Sequence, residues 1–169
     1  MRKILKGLLL LCIAMVLIIS FSESALAKTK GYKFKYNGSS VTVDQKAKSF
    51  IKSAGKPIKK KTTKSCAFKG KDRKYTYNDF ILTTYSKKNK GAEYVLSISL
   101  RNGNVSTKEG IKIGSSEEDV VKKYGKKYDS VSLNVNNMYV YKKGTCKLKI
   151  AVKNSKVVAI AYESAAHNY

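Results

Sequence analysis

The chain has one histidine, one proline and no tryptophan in 169 residues, and its 11 Asp and Glu face 35 Lys and Arg. A single His and so few carboxylates leave little material for a metal cluster or a His-based nucleophilic site. Glycine-rich phosphate loops are absent, and no two carboxylates have the pattern of an acid/base pair. Arginine is nearly missing too. Beyond residue 27 only Arg73 and Arg101 occur, so the positive charge is carried by lysine, a point charge without the planar fork that reads phosphates and bases bidentately. These shortages point away from an enzyme, a metal site, a cofactor and a nucleic-acid partner. The one histidine, His167, lies in the last three residues, where chain ends fray.

What is present begins with a leader. Met1-Arg2-Lys3-Ile4-Leu5-Lys6 is basic, Leu8 to Ile19 is an unbroken apolar run, and Ala25-Leu26-Ala27 is a small-x-small cleavage site. Residues 1–27 therefore read as a signal peptide cut near Ala27. The apolar run is shorter than the ~20 residues that a spanning helix needs. Cys12 sits in mid-run behind three leucines, which argues against lipidation. Removing the leader takes three cations and one anion, leaving a net charge of about +22 on an exported chain.

Two cysteines remain, Cys66 and Cys146. In an oxidising compartment an even count permits one disulfide, worth ~4 kcal/mol in the chain-entropy model for a loop of this length. The alternative is two unrelated thiols, since Cys146 falls in an apolar strand pattern that Cys66 does not obviously face.

An internal correspondence runs through the exported part. Val41-Thr-Val43, Phe50-Ile51, Ala54 and Gly55 are answered, 70 residues later, by Ile111-Lys-Ile113, Val120-Val121, Tyr124 and Gly125. Tyr75-Thr-Tyr77 is answered by Tyr139-Val-Tyr141 at an offset of 64. The spacing predicts an α+β fold of two tandem repeats, residues 28–104 and 105–169, each a helix followed by an antiparallel meander, with the helices packed on one face of the sheet. Asp44 is the expected cap of a helix from Gln45 to Ala54, ended by Gly55 and Pro57; Ser115 and Glu118 form a capping box for the second helix, ended by Gly125. Phe80 to Tyr85 and Glu93 to Leu100 read as a hairpin, with Tyr94, Leu96, Ile98 and Leu100 in phase. Cys146, Leu148, Ile150 and Val152 alternate with polar residues, and Asn154-Ser155 turns into a last strand on which Val158, Ile160 and Tyr162 share a face.

The segment from Gly110 to Gly125, followed by Tyr-x-Tyr and two strands ending in Lys156-Val-Val-Ala-Ile-Ala-Tyr162, resembles the repeat of β-lactamase-inhibitor-protein-like domains, a unit also seen in small outer-membrane-assembly lipoproteins. Gly55-Lys56-Pro57 matches that family's Gly-x-Pro after the helix; Lys126-Lys127 departs from it, as does Asp44 where Gly114 stands. The stretches Ser65-Cys-Ala-Phe-Lys-Gly70 and Tyr75-Thr-Tyr-Asn-Asp-Phe80 are similar to those of secreted proteins of low-GC Gram-positive anaerobes. The resemblance implies a binding domain with an open outer sheet surface.

Two kinds of contact residue follow. Tyrosine is large and polar-tipped, which suits interfaces at low entropy cost, and Tyr75, Tyr77, Tyr139 and Tyr141 are the candidates to meet an extracellular or envelope protein on the sheet, insofar as they are not core. The lysine groups Lys59, Lys60 and Lys61, and Lys122, Lys123, Lys126 and Lys127, are candidates to hold an anionic wall polymer or membrane surface through a salt-dependent field. A solvated lysine surface is the plainer account of the same residues.

Overall fold

The computed structural model describes residues 31–133 and 136–166; the leader expected over residues 1–27 and His167 lie outside the described residues. In chain order it contains β1 (Phe34–Tyr36), β2 (Ser39–Val41), α1 (Lys48–Ala54), β3 (Lys59–Lys64), β4 (Lys71–Thr76), β5 (Phe80–Ser86), β6 (Glu93–Leu100), α2 (Glu117–Tyr124), β7 (Asp129–Leu133), β8 (Asn136–Lys143), β9 (Cys146–Lys153) and β10 (Lys156–Ser164). β1 and β2 form a hairpin, while the other strands make one antiparallel sheet in the order β3-β4-β5-β6-β10-β9-β8-β7.

This corrects the expected α+β architecture of two helix-plus-meander repeats. The molecule is dominated by a single antiparallel sheet that runs without a break through the boundary at residues 104 and 105, because β6 pairs directly with β10. The helices are seven and eight residues long, two turns each, so they plug parts of one sheet face rather than form a layer over it. The β1–β2 hairpin supplies the remaining cover through Phe34 and Val41, both buried.

Local chemistry explains where the elements begin and turn. Asn37-Gly38 and Asn154-Ser155 each have positive φ at both residues, the left-handed pair that a two-residue hairpin between twisted strands requires. Asp44 does not cap α1. Its backbone is left-handed, φ 62°, and its carboxylate accepts a 2.9 Å bond from Ser164 Oγ. Residues 44–47 instead bond to the edge of β6, with Asp44 N to Val95 O and Ala47 N to Glu93 O both at 2.8 Å, so the helix starts only at Lys48. The segment before α2 is anchored to β10 in a comparable manner, through Gly114 N to Val157 O at 2.8 Å and Glu117 N to Ser155 O at 3.0 Å. The cap of α2 is Ser116 rather than Ser115; its Oγ accepts from Asp119 N at 3.1 Å.

The inward sheet face carries the core. Leu82, Ile98, Leu148 and Ile150 are fully buried there beneath Phe50 and Val120 from the helices. Bulges change the phase the alternation implied. Between Val157 and Ala159 the register shifts, so Val157 is buried and Val158 exposed. A second shift, at Thr83/Thr84, leaves Leu96 unmatched and turns Val95 inward instead of Tyr94. Phe80 sits at the centre of an aromatic cluster, its ring centroid 5.1 Å from Phe34, 4.8 Å from Tyr36, 5.9 Å from Phe50 and 4.6 Å from Tyr77. Phe80→Ala is expected to lower the unfolding free energy by about 3–5 kcal/mol in a denaturant titration, while Ser at Ile58, which is 64 % exposed, changes it by no more than about 0.5 kcal/mol.

Candidate functional site

The lysines hold the surface. All six residues of β3 are exposed, and this strand is the outermost on its side of the sheet. Lysines on an edge strand discourage further strand pairing. Here they also face other lysines, because Lys61 lies directly opposite Lys74, and Lys64 opposite Lys71, an arrangement of like charges that opposes pairing. Lys122 and Lys123 occupy the last turn of α2, where cations complement the helix dipole, and Lys126 and Lys127 follow, exposed. These lead straight into β7, at the opposite edge of the sheet. The two lysine groups therefore flank the sheet and are not brought together.

The tyrosines do the reverse. Tyr75, Tyr77, Tyr139 and Tyr141 are 4, 4, 8 and 2 % exposed and belong to the hydrophobic core, so none offers a ring to a partner on the outer sheet surface. Their side chains lie on the inward face because Tyr75 pairs with Leu82, and Tyr141 with Leu148. Two of the four hydroxyls meet carboxylates and one a backbone carbonyl, while that of Tyr77 has no partner among the described residues. Tyr75 donates to Glu93 Oε2 at 2.8 Å, Tyr139 donates to Glu117, and Tyr141 reaches Gly125 O at 3.3 Å.

Glu93 organises a polar cluster that the residue patterns did not single out. Its Oε1 lies 3.4 Å from Arg73 Nε, and its Oε2 also accepts from Thr84 Oγ1 at 3.0 Å. The available signal was that Arg73, one of very few arginines, shares the alternation phase of Tyr75; strict alternation puts Glu93 on the opposite face from Tyr94 and Leu96, and only the bulge at Leu96 turns it inward. Beside this cluster a groove of about 530 Å³ opens between α1 and the ends of β4 and β6, lined by Lys46, Lys48, Ile51, Tyr75, Ala92 and Glu93. Lys60 Nζ stands 5.1 Å from the centre of the Tyr75 ring. A smaller hollow of about 340 Å³ lies at the other edge between Lys127, Tyr128, Asp129 and Lys142.

The expected disulfide is not formed. Cys66 is exposed in the β3–β4 loop, whereas Cys146 is buried, and both are free thiols. Cys146 begins β9 on the inward sheet face, with Sγ 3.9 Å from Tyr32 O; Cys66 lies beyond the end of β3 at the sheet's edge. Among the described residues no three His, Cys, Asp or Glu side chains are grouped to hold a metal ion, and no helix is long and apolar enough to cross a membrane.

No family model and no curated protein matches the chain. Solved structures give distant likenesses. An extracellular protein containing an SCP domain from Bacillus anthracis shares 12 % identity over 73 % of this chain and 44 % of its own, with a TM-score of 0.49. A DUF4309 family protein of Bacillus subtilis shares 12 % over 71 % and 78 %, TM-score 0.42. A cysteine-rich secretory protein of Staphylococcus aureus shares 12 % over 82 % and 49 %, TM-score 0.49. The chain thus spans less than half the length of the first and third. At such scores these likenesses assign it no activity.

Burial fixes the alkaline behaviour of the core. It pushes the Cys146 thiol up to about 11, and burial followed by the neighbouring Tyr128 and Tyr32 pushes Tyr141 up to about 12. Groups raised in the folded state contribute stability that is complete below their unfolded values, 9.0 and 10.0, and is lost as pH climbs toward the folded ones. The unfolding midpoint should therefore hold up to about pH 9 and fall between pH 9 and 12; a midpoint that rises there would contradict the burial. Alkylation at neutral pH, read by peptide mass spectrometry, is expected to mark Cys66 in the native protein and Cys146 only after denaturation. A Cys66–Cys146 linked peptide would overturn the assignment.

Proposed function

We propose that this is a non-catalytic binding protein of the cell exterior or envelope, held by anionic polymers or lipid headgroups through its lysine surfaces. The observation that carries the reading is the exposed edge strand β3, where Lys61 and Lys64 stand opposite Lys74 and Lys71. Among the described residues, ion pairs occur at Arg73–Glu93, Lys142–Asp129 and Lys149–Glu163, and none of them involves β3. Ammonium groups crowded on one strand and unmatched by carboxylates favour a bound polyanion, which relieves their mutual repulsion and releases its own counterions. The lysines after α2 give the opposite edge the same character. Lysine supplies charge without directional readout, so affinity is expected to follow charge density more than sequence or stereochemistry.

Export supports this reading: the basic start, apolar run and Ala25-Leu26-Ala27 of the leader would deliver the chain to a compartment rich in such polymers. A protein partner docked on the outer sheet is the weaker choice, since the four rings that were to anchor it are core.

Binding to immobilised heparin and to a phosphate-bearing wall polymer tests the proposal. The protein is expected to be retained near 0.1 M salt. A variant carrying Lys59→Gln, Lys60→Gln and Lys61→Gln should elute earlier, with the slope of log affinity against log salt reduced by about 1 for each contact removed. Unchanged elution of that variant, or retention persisting at ~1 M salt, where the screening length is only ~3 Å, would refute it.

A further inference from the structure

We propose that the groove between α1 and the ends of β4 and β6 is a binding site for a small amphiphilic anion, a carboxylate carrying a short apolar tail. Its volume of about 530 Å³ is within the range of roughly 300–1,000 Å³ typical of small-molecule sites. Ile51, Ala92 and the small exposed part of Tyr75 give it apolar wall, and of these Ala92 is exposed.

Charge decides what kind of ligand fits. The carboxylate in the lining, Glu93, is already engaged through both oxygens: Oε1 meets Arg73, and Oε2 accepts from Tyr75 and Thr84. Lys46 and Lys48 line the groove and Lys60 stands over Tyr75. None of the three has a carboxylate within ion-pair distance among the described residues. The groove is therefore cationic around an apolar wall. It repels cations, gains little from a purely polar anion, and matches a molecule whose negative head reaches the ammonium groups while its tail lies on Ile51 and Tyr75.

The site is also preformed. Ala47 N bonds to Glu93 O at 2.8 Å and Val95 N to Gln45 O at 2.9 Å, so the start of α1 is tied to β6, and Tyr75 is pinned by its bond to Glu93. Little ordering remains to be done on binding. This pocket shares Lys60 with the lysine row of β3, but because part of its affinity is apolar contact it should weaken less with salt than the polyanion field does.

Calorimetric titration of the folded protein with octanoate, octanol and acetate tests the proposal. Octanoate is expected to bind one site with Kd of about 1 mM or tighter, with octanol and acetate each at least about tenfold weaker. Ala92→Trp, which fills the mouth without touching the core, should abolish octanoate binding, and Lys48→Ala with Lys60→Ala should weaken it about tenfold. Circular dichroism and the unfolding midpoint report whether each variant is folded; if Ala92→Trp is not, Ala92→Leu replaces it. The proposal is overturned if octanoate shows no binding at millimolar concentration, if octanol binds as well as octanoate, or if the folded position-92 variant binds octanoate like the parent.

Discussion

Pairing of β6 with β10 at Ser97–Glu163, Ile98–Tyr162 and Ser99–Ala161 joins what would be two separate four-stranded meanders into one sheet. A meander of that size has two open edges and a small core; joined, the two share one buried face and retain only the outer edges, β3 and β7. The pairing also sets which side chains are inside. From Lys60 a single cross-strand row runs through Tyr75, Leu82, Ile98, Tyr162 and Leu148 to Tyr141. Residues directly opposite one another share a sheet face, so with Ile98 and Tyr162 inside, Tyr75 and Tyr141 are turned inward as well, and only Lys60, on the edge strand, stays exposed. The positions of the tyrosines follow from the sheet and not from any binding role.

Buried tyrosines in turn shape the surface. A hydroxyl carried inward is costly to leave unpaired; Tyr75, Tyr124 and Tyr139 find carboxylates and Tyr141 a backbone carbonyl, while Tyr77 and Tyr162 have no partner among the described residues. Asp44, Asp79, Glu93, Glu109, Glu117 and Asp119 all accept hydrogen bonds from Tyr, Ser, Thr or Asn side chains. Asp79 is held below the usual carboxylate range by Asn104 and Asn102. Anions spent on internal hydrogen bonds are poorly placed to neutralise distant lysines, so the excess of cations appears at the sheet edges and around the groove. Core polarity and surface charge are thus one problem, solved by the same few acidic residues.

Much of the sheet was legible in the residues. The alternation from Cys146 to Val152 gave β9 its buried and wet faces, and Asn154-Ser155 gave its turn. What failed was of three physical kinds. Bulges at Leu96 and Val158 shift phase by one residue, which no strict period-two count can foresee. The first helix begins at Lys48 and not at Gln45, because Asp44 looks like a cap but adopts a left-handed backbone whose neighbours bond to β6. The architecture was misjudged because local periodicity contains no information about β6 meeting β10, a contact between residues more than 60 positions apart. For the site, the exposure of the lysines could be read from composition, whereas the groove could not, since it brings Lys48 of α1, Tyr75 of β4 and Ala92 of the β5–β6 loop together.

Native-state hydrogen exchange on the amides of β6 and β10 tests the single sheet most directly. If the β6–β10 seam closes one cooperative unit, the protected amides at its paired positions exchange only through global unfolding, with the same free energy as those of β5 and β9. Seam amides that exchange at least about a hundredfold faster than those of β5 and β9, or two separate unfolding transitions, would show two independent halves and contradict the account.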